Sequence, residues 1–241
     1  MRKNNLSEKF VQVYNELDDY MRKNLRAEVY VDHSTLLRQM ADKNRIFQDF
    51  YKDLKMFADM RNLLVHNPYK GNADPILVPH KYIVEKYEDI KNQVLYPKKA
   101  LAIAIPANLI YTTTLDDNAL EVMRTMNEKV YTHVPVLENK KMAGVFSENT
   151  ILSYLSHHKE ALILKDMKIG EFSEFIPIDK HLSETFEFVN RHALLIEVEE
   201  LFRKNLAQRR RIGMVFITNS GKKDEDLLGI ITSWDIAGKE I

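Results

Sequence analysis

Thr232 and Asp235 place a hydroxyl and a carboxylate three positions apart, directly after the apolar run Gly229-Ile230-Ile231. If that run is a strand and Trp234 to Ala237 begins a helix, both side chains leave one strand-to-helix junction. A carboxylate there can accept hydrogen bonds from two hydroxyls at once, and a nearby helix N-terminus favours an anion. The same pair also suits a plain helix start, with threonine at the cap and aspartate in the first turn. A parallel run, Gly144-Val145-Phe146, ends in Ser147, but Thr150 stands where the carboxylate would be. A neutral hydroxyl cannot replace a two-oxygen acceptor. The two junctions therefore differ in the acceptor they can offer. Of Arg209, Arg210 and Arg211, which precede the run at Gly213, Arg211 is the phosphate candidate. The other two suit a basic helix end.

A second chemical pair is Arg61 and His66, in Asp59-Met60-Arg61-Asn62-Leu63-Leu64-Val65-His66-Asn67-Pro68. Histidine titrates close enough to neutrality to move a proton. Arginine can stabilise charge developing on a phosphoryl group. Five positions put the two about 140° apart around a regular helix. They act together only if the helix ends near His66, as Asn67-Pro68 suggests, or if each meets a symmetry mate. A bland role, neutralising the carbonyl end of a helix, is also open. His157 and His158 are adjacent and diverge, which makes them a poor metal pair. No P-loop, glycine-rich dinucleotide turn or Gly-x-Ser-x-Gly elbow is present.

These residues need elements to hold them, and the chain changes character near Tyr96–Lys99. Before it, apolar residues recur at helical spacing: Phe10, Val13, Tyr14, Leu17 and Met21; Leu36, Leu37 and Met40; Ile46 through Leu64; and Tyr82 to Ile90. This half predicts an antiparallel helical bundle. After it come short β runs and six of the seven glycines. Ala100–Ile105 and Ile110–Thr112 predict strands, Leu120 to Met126 a helix. His133–Leu137 and Ala143–Phe146 predict paired strands, and Ile151 to Leu155 a helix. The order then recurs: a strand at Phe175–Pro177, a long helix from Leu182 to Leu206, strands at Gly213–Ile217 and Leu228–Ile231, and a helix from Trp234. Strand, helix, strand, strand, helix occurs twice, an internal repeat.

The chain has 241 residues, 35 basic and 35 acidic, and no cysteine. Balanced charge gives no global pull toward nucleic acid or an anionic membrane. The lack of cysteine excludes disulfides and thiolate chemistry and fits a reducing compartment. The start, MRKNNLSEKF, has no apolar core of a signal peptide, and no apolar run can span a bilayer. The expected location is cytoplasmic, away from membranes.

The duplicated order, with Val134-Pro135-Val136 and Gly144-Val145-Phe146-Ser147 in one copy and Met214–Ile217 and Gly229–Asp235 in the other, resembles a pair of CBS motifs, a Bateman module. The resemblance implies an α+β multidomain chain: a helical bundle over residues 1–96, then two βαββα repeats over 97–165 and 166–241. It further implies an adenine nucleotide as regulatory ligand (AMP, ATP, S-adenosylmethionine or cyclic di-AMP) and no metal. Thr232 and Asp235 would hold the ribose in one working cleft, the cleft at Ser147 being weaker or empty, and Ile176 and Val215 would contact adenine mostly through backbone. The Arg61-Asn62-x3-His66 run resembles the motif of HEPN domains, helical bundles that dimerise. That likeness implies a homodimer, a protein or RNA partner and, in the alternative, a nucleotide-gated, metal-independent ribonuclease using Arg61, Asn62 and His66. The main expectation is a nucleotide-sensing regulatory protein. A structural or interaction protein with empty clefts is the remaining alternative.

Overall fold

The computed structural model describes residues 2–65, 77–139, 141–160, 162–207 and 211–237. The chain divides into two compact units, Met1–Pro97 and Lys98–Ile241. His66, Arg209 and Arg210 lie outside the described residues.

The first unit is built from α1 (Arg2–Leu25), α2 (His33–Ala41), α3 (Arg45–Asp49), α4 (Tyr51–Val65) and α5 (Lys81–Leu95). α1 packs against α2, α4 and α5. Its buried face is Phe10, Val13, Leu17 and Met21, a stripe at three- and four-residue spacing. Phe10 meets Phe57 edge-on at 5.9 Å and Tyr87 at 5.1 Å, forming an aromatic centre. Around it, Lys9–Glu88 (2.6 Å), Lys91–Glu16 (2.8 Å) and Lys86–Asp53 (2.7 Å) tie the helices at their polar edges. Asp32 accepts the Thr35 amide, Asn44 the Ile46 amide and His80 the Tyr82 amide, so each of these side chains satisfies a donor that a helix start leaves free. The run from Ile46 to Leu64, expected as one helix, is two. It breaks at Phe50, whose backbone (φ −98°, ψ 13°) leaves the helical region and ends α3.

The second unit carries β1 (Ile105–Pro106), α6 (Ala119–Lys129), β2 (His133–Glu138), β3 (Lys141–Ser147), α7 (Glu148–His157), β4 (Glu184–Asn190), α8 (Leu195–Ala207), β5 (Arg211–Thr218), β6 (Gly229–Ile231) and α9 (Ser233–Ala237). With the helical first unit, this makes the chain α+β. β2 and β3 form an antiparallel two-stranded sheet. Thr113 bridges Val136 in parallel on one side of it, and on the other the Ile176 carbonyl accepts the Val145 amide at 3.0 Å. The second sheet runs β1-β6-β5-β4, with β4 parallel to β5 and the other pairs antiparallel.

The two halves thus exchange edges. Ile105, from before the first half, lies beside β6, and Ile176, from before the second, lies beside β3. A glycine marks each approach. A Cβ at Gly144 would meet the Ile176 carbonyl oxygen at 2.1 Å, and one at Gly229 would meet that of Ile105 at 2.9 Å. Hydrogen would be tolerated there and a methyl would not. Met142, Val145, Phe186, Met214, Phe216 and Ile230, drawn from both sheets, form a shared core.

Several expected elements differ. Ala100–Ile105 is mostly a 3-10 turn (Ala100–Ala102), and β1 covers just Ile105–Pro106. Ile110–Thr112 is not a strand; the pairing falls on Thr113. Phe175–Pro177 is not a strand, although Ile176 makes the single edge bond described above. The supposed helix Leu182–Leu206 is β4, a turn and α8. Thr185-Phe186-Glu187-Phe188-Val189 carries β-branched and aromatic residues in near alternation, and its pairing with β5 fixes it as strand. Among the described residues, no helix is long and apolar enough to cross a membrane.

Candidate functional site

Thr232 and Asp235 sit where β6 gives way to α9. Asp235 Oδ2 accepts both the Thr232 amide and the Thr232 hydroxyl, each at 2.7 Å. The carboxylate therefore closes the first turn from the third helical position, as a cap does. Its other oxygen, Oδ1, has no hydrogen-bond partner among the described residues, and both side chains are partly exposed. Trp234, between them, is 84% exposed.

The equivalent junction of the first half is built differently. Ser147 caps α7: its hydroxyl accepts the Thr150 amide at 3.2 Å, and its own amide donates to the Thr150 hydroxyl at 3.0 Å. Thr150 thus completes the cap that Asp235 completes in the second half. The carboxylate comes from elsewhere. Glu184, the first residue of β4, is 2% exposed. Its Oε1 accepts Ser147 Oγ (2.8 Å) and His181 Nδ1 (3.1 Å). Its Oε2 accepts His133 Nε2 (2.6 Å) and Asn149 Nδ2 (3.0 Å).

Four donors fill the acceptor capacity of one carboxylate. Burial pushes the Glu184 carboxyl up, but the hydrogen bonds from His133 and His181, with the charge at His133, outweigh it and hold the group well below the usual carboxylate range. His181 Nε2 faces the Ile176 carbonyl at 3.3 Å. Each of its ring nitrogens therefore faces an oxygen that only accepts. None of Glu184, His133, His181 and Asn149 stood out in the sequence. His133 and Glu184 are 51 positions apart, and no local spacing announces their meeting.

The remaining expected residues are dispersed. Ile176 is 2% exposed, and its carbonyl is shared between the Val145 amide and His181. Val215 is fully buried in central strand β5, opposite Ile231. Arg211 opens β5 opposite Glu184 in the strand register, with its side chain exposed. Two cavities among the described residues lie in the second unit. One of about 470 Å³ lies along Ile178–Glu187, with His181 and Glu184 in its wall. One of about 180 Å³ lies between α6 and α7 and is lined by Met123, Met126, Tyr131 and Ile151. Neither is lined by Thr232 or Asp235. Among the described residues, no group of three or more histidines and carboxylates is placed to hold a metal.

In the helical unit, the Arg61 guanidinium lies over the Tyr14 ring, 4.9 Å from its centre. Its Nε is buried without a hydrogen-bond partner, and its Nη1 reaches Asn62 at 3.4 Å. His33 stacks on Tyr14 at 4.1 Å and bonds Asp18 at 2.7 Å.

The match to known proteins falls on the first half. Residues 107–157, which contain Thr113, α6, β2, β3 and the Ser147 junction, match the family model of the CBS domain. Over those residues the second unit is similar to a CBS domain. Similar solved structures include CbpB in complex with c-di-AMP, with 19% identity, 67% of this chain and 93% of that chain covered, and a TM-score of 0.43. CBSX2 in complex with AMP shows 15% identity, 59% and 96% coverage, and a TM-score of 0.41. A hemolysin-like protein containing a CBS domain, from Oenococcus oeni PSU, shows 17% identity, 60% and 91% coverage, and a TM-score of 0.40. A search among curated proteins gave no match. Thr232 and Asp235 lie beyond the matched residues. What links them to the CBS domain is the common plan of the two halves, in which Gly144 to Ser147 and Gly229 to Thr232 occupy corresponding positions beside the exchanged edges.

Proposed function

We propose that the second unit is a CBS pair of two βαββα repeats that senses an adenine nucleotide at the Thr232–Asp235 junction and signals its level to the helical unit. The observation that carries this reading is the unused Asp235 Oδ1, at a junction that repeats the plan of the CBS domain. A carboxylate with one oxygen committed to the cap and one free is held rigidly yet keeps acceptor capacity for a ribose hydroxyl. Thr232 sets its position by donating twice to Oδ2. Arg211, at the start of β5, remains the phosphate candidate from the sequence, and Ile176 and Val215 remain the proposed backbone contacts to adenine. The ligand class, AMP, ATP, S-adenosylmethionine or cyclic di-AMP, follows from the resemblance to CBS proteins. A ligand of this kind regulates by binding one arrangement of the two units better than another. The protein is cytoplasmic in this reading and pairs as a homodimer through its helical unit.

Thermal melting with each of the four nucleotides tests it. A ligand at 100 times its Kd adds about 2.7 kcal/mol of stability. Asp235→Ala removes that gain, whereas Thr150→Ala keeps it. No shift with any of the four at millimolar concentration favours a structural protein with empty clefts.

A second reading is favoured by Arg61. Its guanidinium has no carboxylate partner among the described residues, and a phosphate would be a fitting counter-ion for its charge. In that reading the helical unit is a HEPN-like ribonuclease using Arg61, Asn62 and His66. RNA incubated with wild type, Arg61→Ala and His66→Ala decides it: cleavage lost in both variants supports a nuclease, and equal cleavage by all three removes these residues from the chemistry.

A further inference from the structure

We propose that Glu184 is a built-in occupant of the first-half junction, so that the chain binds one nucleotide where its two halves would otherwise offer two places. The inference rests on the reading of Thr232–Asp235 as a nucleotide site and adds what becomes of the other junction.

The sequence between edge and strand delivers the occupant. Ile105 and Ile176 hold corresponding edge places, over Gly229 and Gly144 respectively. Thr113 pairs with Val136, the partner of Gly144, and Val189 pairs with Ile217, the partner of Gly229. Eight positions separate Ile105 from Thr113, but thirteen separate Ile176 from Val189. The longer segment contains both His181 and Glu184. The shorter one, Pro106 to Thr112, has no acidic residue and no histidine to send toward Thr232.

The chemistry at the two junctions then diverges. At Thr232 the carboxylate takes two donors on one oxygen and leaves the other free. At Ser147 the incoming carboxylate takes four, one of them the Ser147 hydroxyl itself. The hydroxyl that would meet a ribose is already spent on Glu184, whose own lone pairs are filled. His181 adds a second block by lying against the Ile176 carbonyl at 3.3 Å, which the Val145 amide also uses. A nucleotide entering there would have to displace a fully hydrogen-bonded, buried carboxylate, and would bring negative phosphate toward it.

Calorimetric titration of the full chain with AMP, and separately with ATP, reads the number of sites. One site per chain is expected for wild type, and a second, weaker one for Glu184→Ala, which empties the Ser147 junction but leaves it the Ser147 and Thr150 hydroxyls in place of a carboxylate. Two sites in wild type would overturn the proposal, and so would a folded Glu184→Ala that still binds one. If wild type binds none and Glu184→Ala binds one, the occupant stands and the Thr232–Asp235 reading falls. Should Glu184→Ala fail to fold, Asp235→Ala decides, since it leaves the Ser147 junction as the sole place. No binding by that variant, against one site in wild type, supports the proposal; one retained site overturns it.

Discussion

A single buried carboxylate organises the first junction. Glu184 has a side chain with no exposure and four donors around it, two of them histidines. Removing it takes the shared acceptor from His133, His181, Asn149 and Ser147. Breaking one side of a buried pair costs about 3–5 kcal/mol, so Glu184→Ala should lower stability by about that amount in urea melts, and Glu184→Gln by less. Acid should act on the same group. The folded carboxyl lies below its ordinary value of about 4.3, so its contribution is complete above that value and disappears as pH falls through and below it. Wild type should therefore lose stability between about pH 5 and pH 3 more steeply than Glu184→Gln; parallel curves would show that Glu184 does not carry the acid response. Asp235 is the opposite case, a partly exposed cap whose loss should cost about 1 kcal/mol while removing nucleotide binding. The sequence showed Thr232 and Asp235 because they are three positions apart. It hid Glu184: His181 stands three positions before it, but His133, Ser147 and Asn149 come from far along the chain, His133 from 51 positions away.

The strand edges decide how the two halves of the second unit fit together. Gly144 and Gly229 hold corresponding places, but the backbone approaches them unequally, at 2.1 Å and 2.9 Å from a would-be Cβ. Gly144→Ala must push the Ile176 backbone away from β3 and, with it, the loop that carries His181. It should cost at least the 1–3 kcal/mol of an overpacked core, more than Gly229→Ala, as paired denaturant melts would show. Equal losses would mean that Ile176 is free to move. Sequence pattern was enough for β2, β3, β5 and β6, whose apolar runs flank polar turns, and for α6, which alternates charge with Val122 and Met126. It failed at β4. The glutamate and polar positions of Ser183–Val189 merged with the genuine helical stripe that follows, Leu195, Val198 and Leu201, into one apparent helix. A strand whose partner lies 28 positions later, as Met214 does from Phe186, takes its conformation from tertiary pairing rather than from local propensity. Thr113 and Ile176 escape pattern reading for the same reason, since each contributes a single paired residue.

At the scale of the whole molecule, balanced charge hides a local asymmetry. Two junctions of one plan stand in the second unit; one is closed by the chain's own Glu184 and the other keeps a free carboxylate oxygen. The helical unit concentrates its own polar chemistry at Arg61, Tyr14, His33 and Asp18, of which the sequence marked Arg61 through its neighbours Asn62 and His66. Tyr14 and His33 come from separate helices and meet by packing alone. Sensing by such a chain requires that the open junction bind a nucleotide. Trp234 is the sole tryptophan in the sequence and sits between Thr232 and Asp235, so its fluorescence reports that junction and no other. Titrating AMP, ATP, S-adenosylmethionine and cyclic di-AMP against Trp234 emission should give a saturable change with at least one of them in wild type and none in Asp235→Ala. A flat response to all four, or the same change in both proteins, would contradict nucleotide binding at Thr232 and Asp235.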